Sequence, residues 1–335
     1  MKRSLRPWGT AAAILVLAGA GIVYLRQASR SLVQRSRPLV NVRGWWKEDT
    51  LERPYTWLSE TSLFSHSGWW RLSGPFTYDI STNIKTPLTR LQSLLGSDGD
   101  DQTAFWELSP DRRHIAWNIE CYDTIHTATI DGREHKKWNL EGPGYGNSVS
   151  GLTWLSDGHR WNASTIDYES GKDRLSSIGD ALGIERKPEA LAKANAEALA
   201  LAEPVLTVDN GVCEVDYTTA GRTNRLTFRD LDHGGLIAEV EVSPDHKHFA
   251  WTVGGVSVPP LIRLLHRIDP GYSFESRLYS SLFISGIDGS NVREVGRIEV
   301  KDDGVIQFLQ WMPNGRTVTY VYRDEIYAID VSACL

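Results

Sequence analysis

Two histidines occupy matching positions in a repeated turn. His114 follows Asp111 by three residues in Ser-Pro-Asp-Arg-Arg-His, and His248 follows Asp245 at the same spacing. An imidazole beside a carboxylate can act as a general base or bind a metal. In both copies, however, the histidine opens the strand after the turn, and the copies are far apart in the chain. We therefore expect a structural or exposed role for both, and we regard His126, His135 and His233 as scattered.

The other patterns that could carry chemistry are incomplete. Residues 96–101, Gly-Ser-Asp-Gly-Asp-Asp, lack the ligand spacing and the terminal Glu of an EF-hand, so a solvated loop is expected. The sequence contains no Gly-x-Ser-x-Gly elbow, P-loop, dinucleotide fingerprint or His-Glu-x-x-His pair. Three widely spaced cysteines form no metal motif, although one disulfide is compatible with them. They are Cys121, Cys213 and Cys334. We predict no catalytic residue, no cofactor and no metal.

A basic segment within residues 254–280 is the candidate binding site. It reads Leu-Ile-Arg-Leu-Leu-His-Arg and places Arg263, His266 and Arg267 among apolar residues. Such a pattern is typical of an amphipathic turn that meets a protein partner or a membrane. A short helix that lies back on the protein explains the pattern equally. We name Arg263, His266 and Arg267 as candidate binding residues.

A repeated strand–turn–strand unit positions these segments. In each copy an apolar strand ends near Trp or Val, and a second apolar strand follows a tight turn. Pro fixes φ in the turn, Asp or Asn bonds its own backbone, and Gly accepts positive φ. The copies are Trp57–Ser59, Trp106–Asp111, Trp154–Gly158, Val240–Asp245 and Trp311–Gly315. Because the four tryptophans share one repeat position, we expect them to pack between neighbouring units.

A second unit, a strand that enters a polar hairpin turn, follows the first. Its six instances are Phe76–Asp79, Thr127–Gly132, Ile166–Tyr168, Val215–Tyr217, Leu282–Gly289 and Ile326–Asp330. Four-stranded units repeated about every 40–50 residues are typical of propeller blades. One blade cannot bury both faces of its sheet, so its neighbours must cover it.

The combined motif resembles a known family. The Ser-Pro-Asp turn before Ile115-Ala116-Trp117, followed by Ile130-Asp131-Gly132, resembles the repeat of TolB-like β-propellers, which are related to the WD-repeat class. The resemblance covers about residues 50–335 and implies an all-β propeller without implying a particular function. Six hairpin units predict a six-bladed β-propeller. Five or seven blades remain open, because the interval from Trp154 to Val240 fits one long blade or two.

The propeller is expected over residues 38–335, with insertions at residues 177–203 and 254–280. The first is predicted to be a helical insertion, since Pro188 suits a first helical turn and an apolar stripe follows it. That stripe comprises Leu191, Ala194, Ala198 and Leu201.

The final blade shows only three strands in the sequence. We therefore expect a segment within residues 38–58 to complete it and close the ring. The alternative is a disordered stalk followed by a complete first blade.

The N-terminal residues 1–37 are expected to be a membrane anchor and its basic flank. Residues 8–25 are uncharged and just long enough to cross the hydrocarbon core as a transmembrane helix. A cleaved signal peptide is the alternative. Positive charge flanks both sides, so charge counting leaves the orientation open. TolB-like domains are commonly extracytoplasmic in bacteria, and this resemblance favours a propeller in the periplasm or at the cell surface.

Composition narrows the function further. The net charge is −6, and no basic run occurs beyond the N-terminal flank, which argues against nucleic acid. We favour a membrane-anchored, non-catalytic propeller that binds a protein or peptide partner. The alternative is a propeller lyase or hydrolase that acts on polysaccharide. Both insertions are expected at the end of the blades opposite the tight turns, and that rim is the predicted binding face.

Overall fold

The chain folds mainly into antiparallel β-sheet. The structure, a computed structural model, describes residues 31–45, 55–65, 74–94, 103–119, 124–140, 147–155, 157, 159–167, 172–180, 183–185, 189–190, 193, 205–209, 212–219, 222–228, 236–257, 277–299 and 305–335. Within these residues the strands form six antiparallel sheets, five with four strands and one with three. We number them sheets 1 to 6 in chain order, with sheet 6 starting at Gln307. The first strands of sheets 2 and 3, of sheets 4 and 5, and of sheets 5 and 6 contact each other, and we call the first strand of each sheet its inner strand.

The first strand of the chain, β1 (Arg37–Asn41), belongs to the last sheet. Sheet 1 contains β2 (Tyr55–Trp57), β3 (Ser62–Ser65), β4 (Phe76–Asp79) and β5 (Ile84–Pro87). Sheet 2 contains β6 (Thr103–Leu108), β7 (His114–Ile119), β8 (Thr124–Thr129) and β9 (Lys136–Asn139). Sheet 3 contains β10 (Asn147–Trp154), β11 (Trp161–Asp167), β12 (Lys172–Asp180) and β13 (Gly183–Glu185).

The second half of the chain supplies three further sheets. Sheet 4 contains β14 (Val205–Asp209), β15 (Val212–Thr219) and β16 (Arg222–Phe228). Sheet 5 contains β17 (Leu236–Val242), β18 (His248–Ser257), β19 (Arg277–Gly286) and β20 (Arg293–Glu299). Sheet 6 contains β21 (Gln307–Trp311), β22 (Thr317–Tyr322), β23 (Glu325–Asp330) and β1. Within the described residues, the helices with defined ends are α1 (Leu32–Arg35), α2 (Thr89–Leu94) and a 3₁₀ turn (Ser332–Cys334).

The Ser-Pro-Asp motif builds the turn between first and second strands. Ser109 Oγ donates to Asp111 Oδ1 at 2.6 Å and accepts the His114 backbone N–H at 2.9 Å. The copy at Ser243 repeats both contacts, at 2.6 and 3.0 Å. In the last copy, Gly315 occupies the left-handed turn position with φ +63°. The motif is therefore a local hydrogen-bonded device that reverses the chain.

The N-terminal segment completes the last sheet, as predicted. Strand β1 pairs antiparallel with β23, with Arg37 opposite Ala328 and Asn41 opposite Glu325. Before it, α1 buries Leu32 completely in a cluster shared by sheets 5 and 6. A Cβ at Gly296 would lie 3.1 Å from Leu32 Cδ1, so the helix lies almost directly on β20. Residues 32–37 thus belong to the folded domain and not to the membrane flank.

Tryptophan side chains join the sheets, as the shared repeat position predicts. Their indole N–H groups donate across three of the interfaces between sheets. The contacts are Trp57 to Thr319 Oγ1 at 2.9 Å, Trp154 to the Glu107 carbonyl at 2.9 Å and Trp311 to the Glu241 carbonyl at 3.2 Å. Trp106 packs against Phe64 between sheets 1 and 2, with the rings 5.5 Å apart. Tyr217 and Phe249 connect sheets 4 and 5 at 5.1 Å. The described contacts therefore link sheets 4, 5, 6, 1, 2 and 3 in that order.

The strands extend into both predicted insertions. β12 and β13 cover most of residues 177–185, so that part is sheet and not helix. Glu189, Ala190 and Lys193 have helical backbone in the interval that follows. β18 runs to Ser257 and β19 begins at Arg277, which reduces the second insertion to residues 258–276. Cross-strand pairing lengthens these strands, and local periodicity does not reveal such pairing.

The predicted strand-to-hairpin motif does not fall on the same strand in every sheet. Ile166 and Asp167 lie on β11, and Val215 to Tyr217 lie on β15, so both instances belong to second strands. The interval between Trp154 and Val240 nevertheless contains strands of two separate sheets.

The predicted membrane anchor, residues 8–25, lies outside the described residues. Among the residues that the structure describes, no helix is both long and apolar enough to cross a membrane.

Candidate functional site

The two ends of each sheet differ in their connections. In sheet 5, the Ser-Pro-Asp turn joins β17 to β18 and the Asp-Gly turn joins β19 to β20, at one end. Residues 258–276 connect β18 to β19 and therefore leave from the opposite end. In sheet 3, the connection to β14 follows the fourth strand and also leaves opposite the tight turns. We call this the insert end of the sheets.

Two of the tryptophan contacts are equivalent. Trp154 and Trp311 each donate to the residue that follows their repeat equivalent in the preceding sheet, Trp106 or Val240. The first strands of the sheets also contact each other at these two interfaces. The candidate residues Arg263, His266 and Arg267, like the acidic loop 96–101, lie outside the described residues.

The matched histidines are the first residues of second strands and are not brought together. His114 Nδ1 lies 3.7 Å from Asp111 Oδ1, and His248 Nδ1 lies 3.8 Å from Asp245 Oδ1. The distances are too long for hydrogen bonds. The His114 ring stands 6.1 Å from the Trp154 ring of the next sheet. The two histidines lie on β7 and β18, in sheets 2 and 5, consistent with separate structural positions.

Two histidines that the sequence left scattered do meet. His126 Nδ1 lies 3.0 Å from His135 Nε2, and the ring planes differ by 10°. Both rings stack on Trp117, with centroids 5.2 and 5.8 Å away. Burial, followed by the neighbouring charges of His135 and Lys137, lowers the pKa of His126 to about 4. Burial also lowers the pKa of His135. The pair is therefore neutral at pH 7 and shares one N–H···N hydrogen bond.

The sequence carried a signal for this pair. His126 lies five residues before Asp131 and His135 three residues after Gly132, so the hairpin brings the two side chains close together. They lie on the third strand and on the turn before the outermost strand of sheet 2, away from the inner strands. Among the described residues, no group of three or more His, Cys, Asp or Glu side chains is arranged to hold a metal ion. Of the cysteines, Cys334 is a free thiol.

A carboxylate on an inner strand supports a bulge in the next sheet. Glu239 accepts the backbone N–H groups of Phe308 at 2.9 Å and Leu309 at 2.6 Å. Phe308 has φ +53°, and the pairing of β21 with β22 shifts register at this point. The Glu239 carboxylate thus satisfies amides that the bulge diverts from the ladder. Sequence periodicity offered no sign of this role.

Sheet 4 has an outer edge that differs from those of the other sheets. Its third strand, β16, alternates between half-buried and exposed from Asn224 to Thr227. The third strand of sheet 2, by contrast, has a continuous buried run along β8. Such exposure is otherwise found on outermost strands such as β5 and β9. On β16, Arg225 donates to Asp216 at 2.6 and 2.7 Å and pairs with Glu214 at 3.0 Å. The bound carboxylates raise the pKa of Arg225.

No protein-family model and no curated protein matches the chain, whereas solved structures of similar fold do match it. Hydrazine synthase of Kuenenia stuttgartiensis is similar over 85% of this chain and 80% of its own, at 14% identity and a TM-score of 0.43. The Cps50 (Swd1) β-propeller domain of Myceliophteria thermophila is similar over 83% of each chain, at 14% identity and a TM-score of 0.40.

A third similar structure is a member of the DUF4221 family from Bacteroides vulgatus. It covers 90% of this chain and 96% of its own, at 9% identity and a TM-score of 0.41. With TM-scores this low, the fold assignment rests on the strand pairing of this chain alone. Successive antiparallel sheets of three or four strands, which pack against one another, define an all-β, propeller-like protein.

Proposed function

We propose that the protein is a non-catalytic, six-bladed β-propeller of the TolB-like type that binds a protein or peptide partner. In this proposal sheet 3 meets sheet 4 to close the ring, and residues 8–25 hold the domain at a membrane, outside the cytoplasm. A rigid ring with variable connections at one end is the usual construction of a binding scaffold.

The recurring tryptophan contact is the observation that supports this proposal best. Hydrogen bonds from the buried indoles of Trp57, Trp154 and Trp311 connect sheet 1 to sheet 6, sheet 3 to sheet 2 and sheet 6 to sheet 5. In this proposal the sheets share one orientation, so that the connections that leave the insert end are presented together. We place the binding face at this end, where Arg263, His266 and Arg267 belong to the second insertion.

The alternative is a lyase or hydrolase that acts on polysaccharide in the central channel. It requires acidic or histidine side chains from several first strands to converge there. Among the described residues, His126 and His135 lie in the outer half of sheet 2, and Glu239 is bound to the backbone of β21. These placements favour the binding scaffold.

Peptide selection against the full chain tests the proposal. The detergent-solubilised protein is panned with a phage library of random twelve-residue peptides, and enriched peptides are measured by calorimetry. We expect reproducible enrichment of peptides with micromolar Kd. Absence of enrichment, together with release of reducing ends or unsaturated products from a panel of acidic polysaccharides, would favour the enzyme.

The anchor is tested separately. We expect the full chain to remain in the membrane fraction after carbonate extraction, and a variant without residues 8–25 to be released. Protease added to intact cells or spheroplasts should digest the propeller. An N-terminus that begins after residue 20 would identify these residues as a cleaved signal peptide instead.

A further inference from the structure

The connection that follows β16, the third strand of sheet 4, is much shorter than the equivalent connections in the other sheets. In sheets 1, 2, 3 and 5, between 17 and 24 residues separate the end of the third strand from the first strand of the next sheet. That length contains a turn, a fourth strand and the crossing to the next sheet. Between β16, which ends at Phe228, and β17, which begins at Leu236, the chain has only seven residues. Seven residues span at most about 25 Å, too few for a turn, a strand and a crossing.

The strand pairing agrees with this count. In the described part of the chain, sheet 4 has the order β14-β15-β16, and β16 is its last strand. The strand has seven residues, all of them paired to β15 on one side. An edge strand of this length presents a row of N–H and C=O groups to any extended chain that can reach it. Edge strands are commonly protected by proline, by a strong bulge or by charged side chains. β16 contains neither proline nor a bulge, and the charge that it carries is on Arg222 and Arg225.

We propose that the outer edge of β16 is a docking site for an extended segment of a partner polypeptide, which adds to sheet 4 as its fourth strand. The proposal rests on the binding function proposed above and names the place and mode of binding. Main-chain hydrogen bonds supply the affinity of such a complex, and alternate side chains supply its specificity.

The two faces of β16 define the chemistry of the partner segment. On one face, Leu226 packs beside the hydrophobic cluster of Val215, Tyr217 and Phe249 and approaches the turn at Gly289. On the other face, Arg225 and Thr227 are exposed. A strand added beside β16 follows the same alternation. The partner segment therefore carries apolar, preferably β-branched, residues at every second position and polar residues between them.

A second copy of this chain is a poor occupant of the edge. An antiparallel pair of β16 strands centred on Arg225 would place that arginine directly opposite its own copy. A parallel pair in register would align both Arg222 and Arg225 with their copies. Like charges in directly opposed positions destabilise a strand pair. The charge pattern thus favours a different polypeptide.

Amide exchange with a defined probe tests the inference. The probe is an eight-residue synthetic peptide of alternating valine and threonine, which is added to the full chain in detergent. The peptide that binds most strongly in the selection is measured in a parallel experiment. We expect slower exchange at Arg222–Phe228 on saturation, with no change at the outermost strand β5. The same peptide with N-methyl groups on alternate residues should lose at least tenfold in affinity, because it cannot complete the ladder.

A pair of matched variants gives a second readout. Leu226→Glu places a charge on the face where apolar partner residues lie, and we expect at least tenfold weaker binding. Ile84→Glu makes the same change at an exposed outer-strand position of sheet 1, 56% exposed, and should leave binding unchanged. If Leu226→Glu unfolds sheet 4, the proposal is tested instead by the amide exchange of the unmodified protein with the probe peptide.

The outcomes separate the two proposals. Peptides that bind but protect residues other than Arg222–Phe228, or that tolerate N-methylation, overturn the edge site and leave the binding function intact. Failure of every peptide to bind counts against both.

Discussion

Single tryptophan residues connect neighbouring sheets in two ways, because the indole ring packs in the interface and its N–H donates a hydrogen bond across it. The Trp311 indole is 6% exposed, and its N–H reaches the Glu241 carbonyl of sheet 5 at 3.2 Å. A buried carbonyl that loses its donor retains a desolvation cost of about 1–3 kcal/mol. The polar half of the contact should therefore be measurable apart from the packing.

Trp311→Phe is expected to lower the free energy of unfolding by about 2–4 kcal/mol, because it removes the donor and also leaves a small cavity. The measurement is urea denaturation followed by circular dichroism. Trp138→Phe is the matched control, since Trp138 is half-buried and donates at 3.3 Å to Thr127 within its own sheet. Equal losses for the two variants would contradict a special role for the interface indole.

The His126–His135 pair should make stability depend on pH. His126 has a folded pKa of about 4 and an unfolded pKa of 6.5, so the unfolded chain binds the proton first as the pH falls. Its contribution to stability is therefore complete above pH 6.5 and is lost as the pH falls towards 4. One proton changes the free energy of unfolding by about 1.4 kcal/mol per pH unit within this window.

His126→Phe should flatten this dependence between pH 6 and pH 5, since phenylalanine preserves the stacking on Trp117 and cannot be protonated. Chemical denaturation at a series of pH values provides the measurement. His246→Asn, at an exposed turn position with φ +55°, should retain the wild-type slope. A variant slope equal to that of the wild type would show that His126 is not buried neutral.

At the scale of elements, the segment from α1 to β1 holds the two ends of the chain together. Leu32 is buried between sheets 5 and 6, and the Tyr320 hydroxyl donates to Ser36 Oγ at 2.8 Å. Strand β1 then covers the edge that β23 would otherwise expose. The segment is therefore part of the structure of sheet 6.

Removal of residues 1–42 should destabilise or aggregate the protein, because it empties the Leu32 pocket and uncovers β23. Removal of residues 1–30 should leave the melting temperature within a few degrees of that of the full chain. Differential scanning fluorimetry of the two truncated proteins provides the comparison. If both truncated proteins melt at the same temperature, β1 contributes nothing to the closure of sheet 6.

Elements whose form is decided locally were predictable from the sequence. The Ser109-Pro110-Asp111 turn is specified by its own side chains, and the repeated tryptophans revealed their interface role through spacing alone. The full length of β12 and β18, the bulge at Phe308 and the place of β16 as the last strand of sheet 4 in the described part of the chain depend on pairing with distant strands. Hydrophobic periodicity does not report such pairings, and the predicted insertions were accordingly too long. The His126–His135 contact was missed although it lies within one hairpin, because hydrophobic periodicity does not report which polar side chains meet across a turn.

At the scale of the whole molecule, the protein is a series of small sheets that depend on one another. No single sheet of three or four strands can cover both its faces, and each shares its hydrophobic cluster with a neighbour. The order of contacts from sheet 4 through sheets 5, 6, 1 and 2 to sheet 3 places the first and last segments of the domain in sheet 6. The proposed binding function depends on this arrangement, because it keeps the insert end and the edge of β16 in fixed positions.

Hydrogen–deuterium exchange of the full chain, read by mass spectrometry at increasing denaturant, tests this arrangement most directly. The account predicts that amides of Arg37–Asn41 exchange as slowly as those of Glu325–Asp330, and that both segments lose protection at the same denaturant concentration. Exchange of Arg37–Asn41 at the rate of an unstructured peptide, while Glu325–Asp330 stays protected, would contradict it.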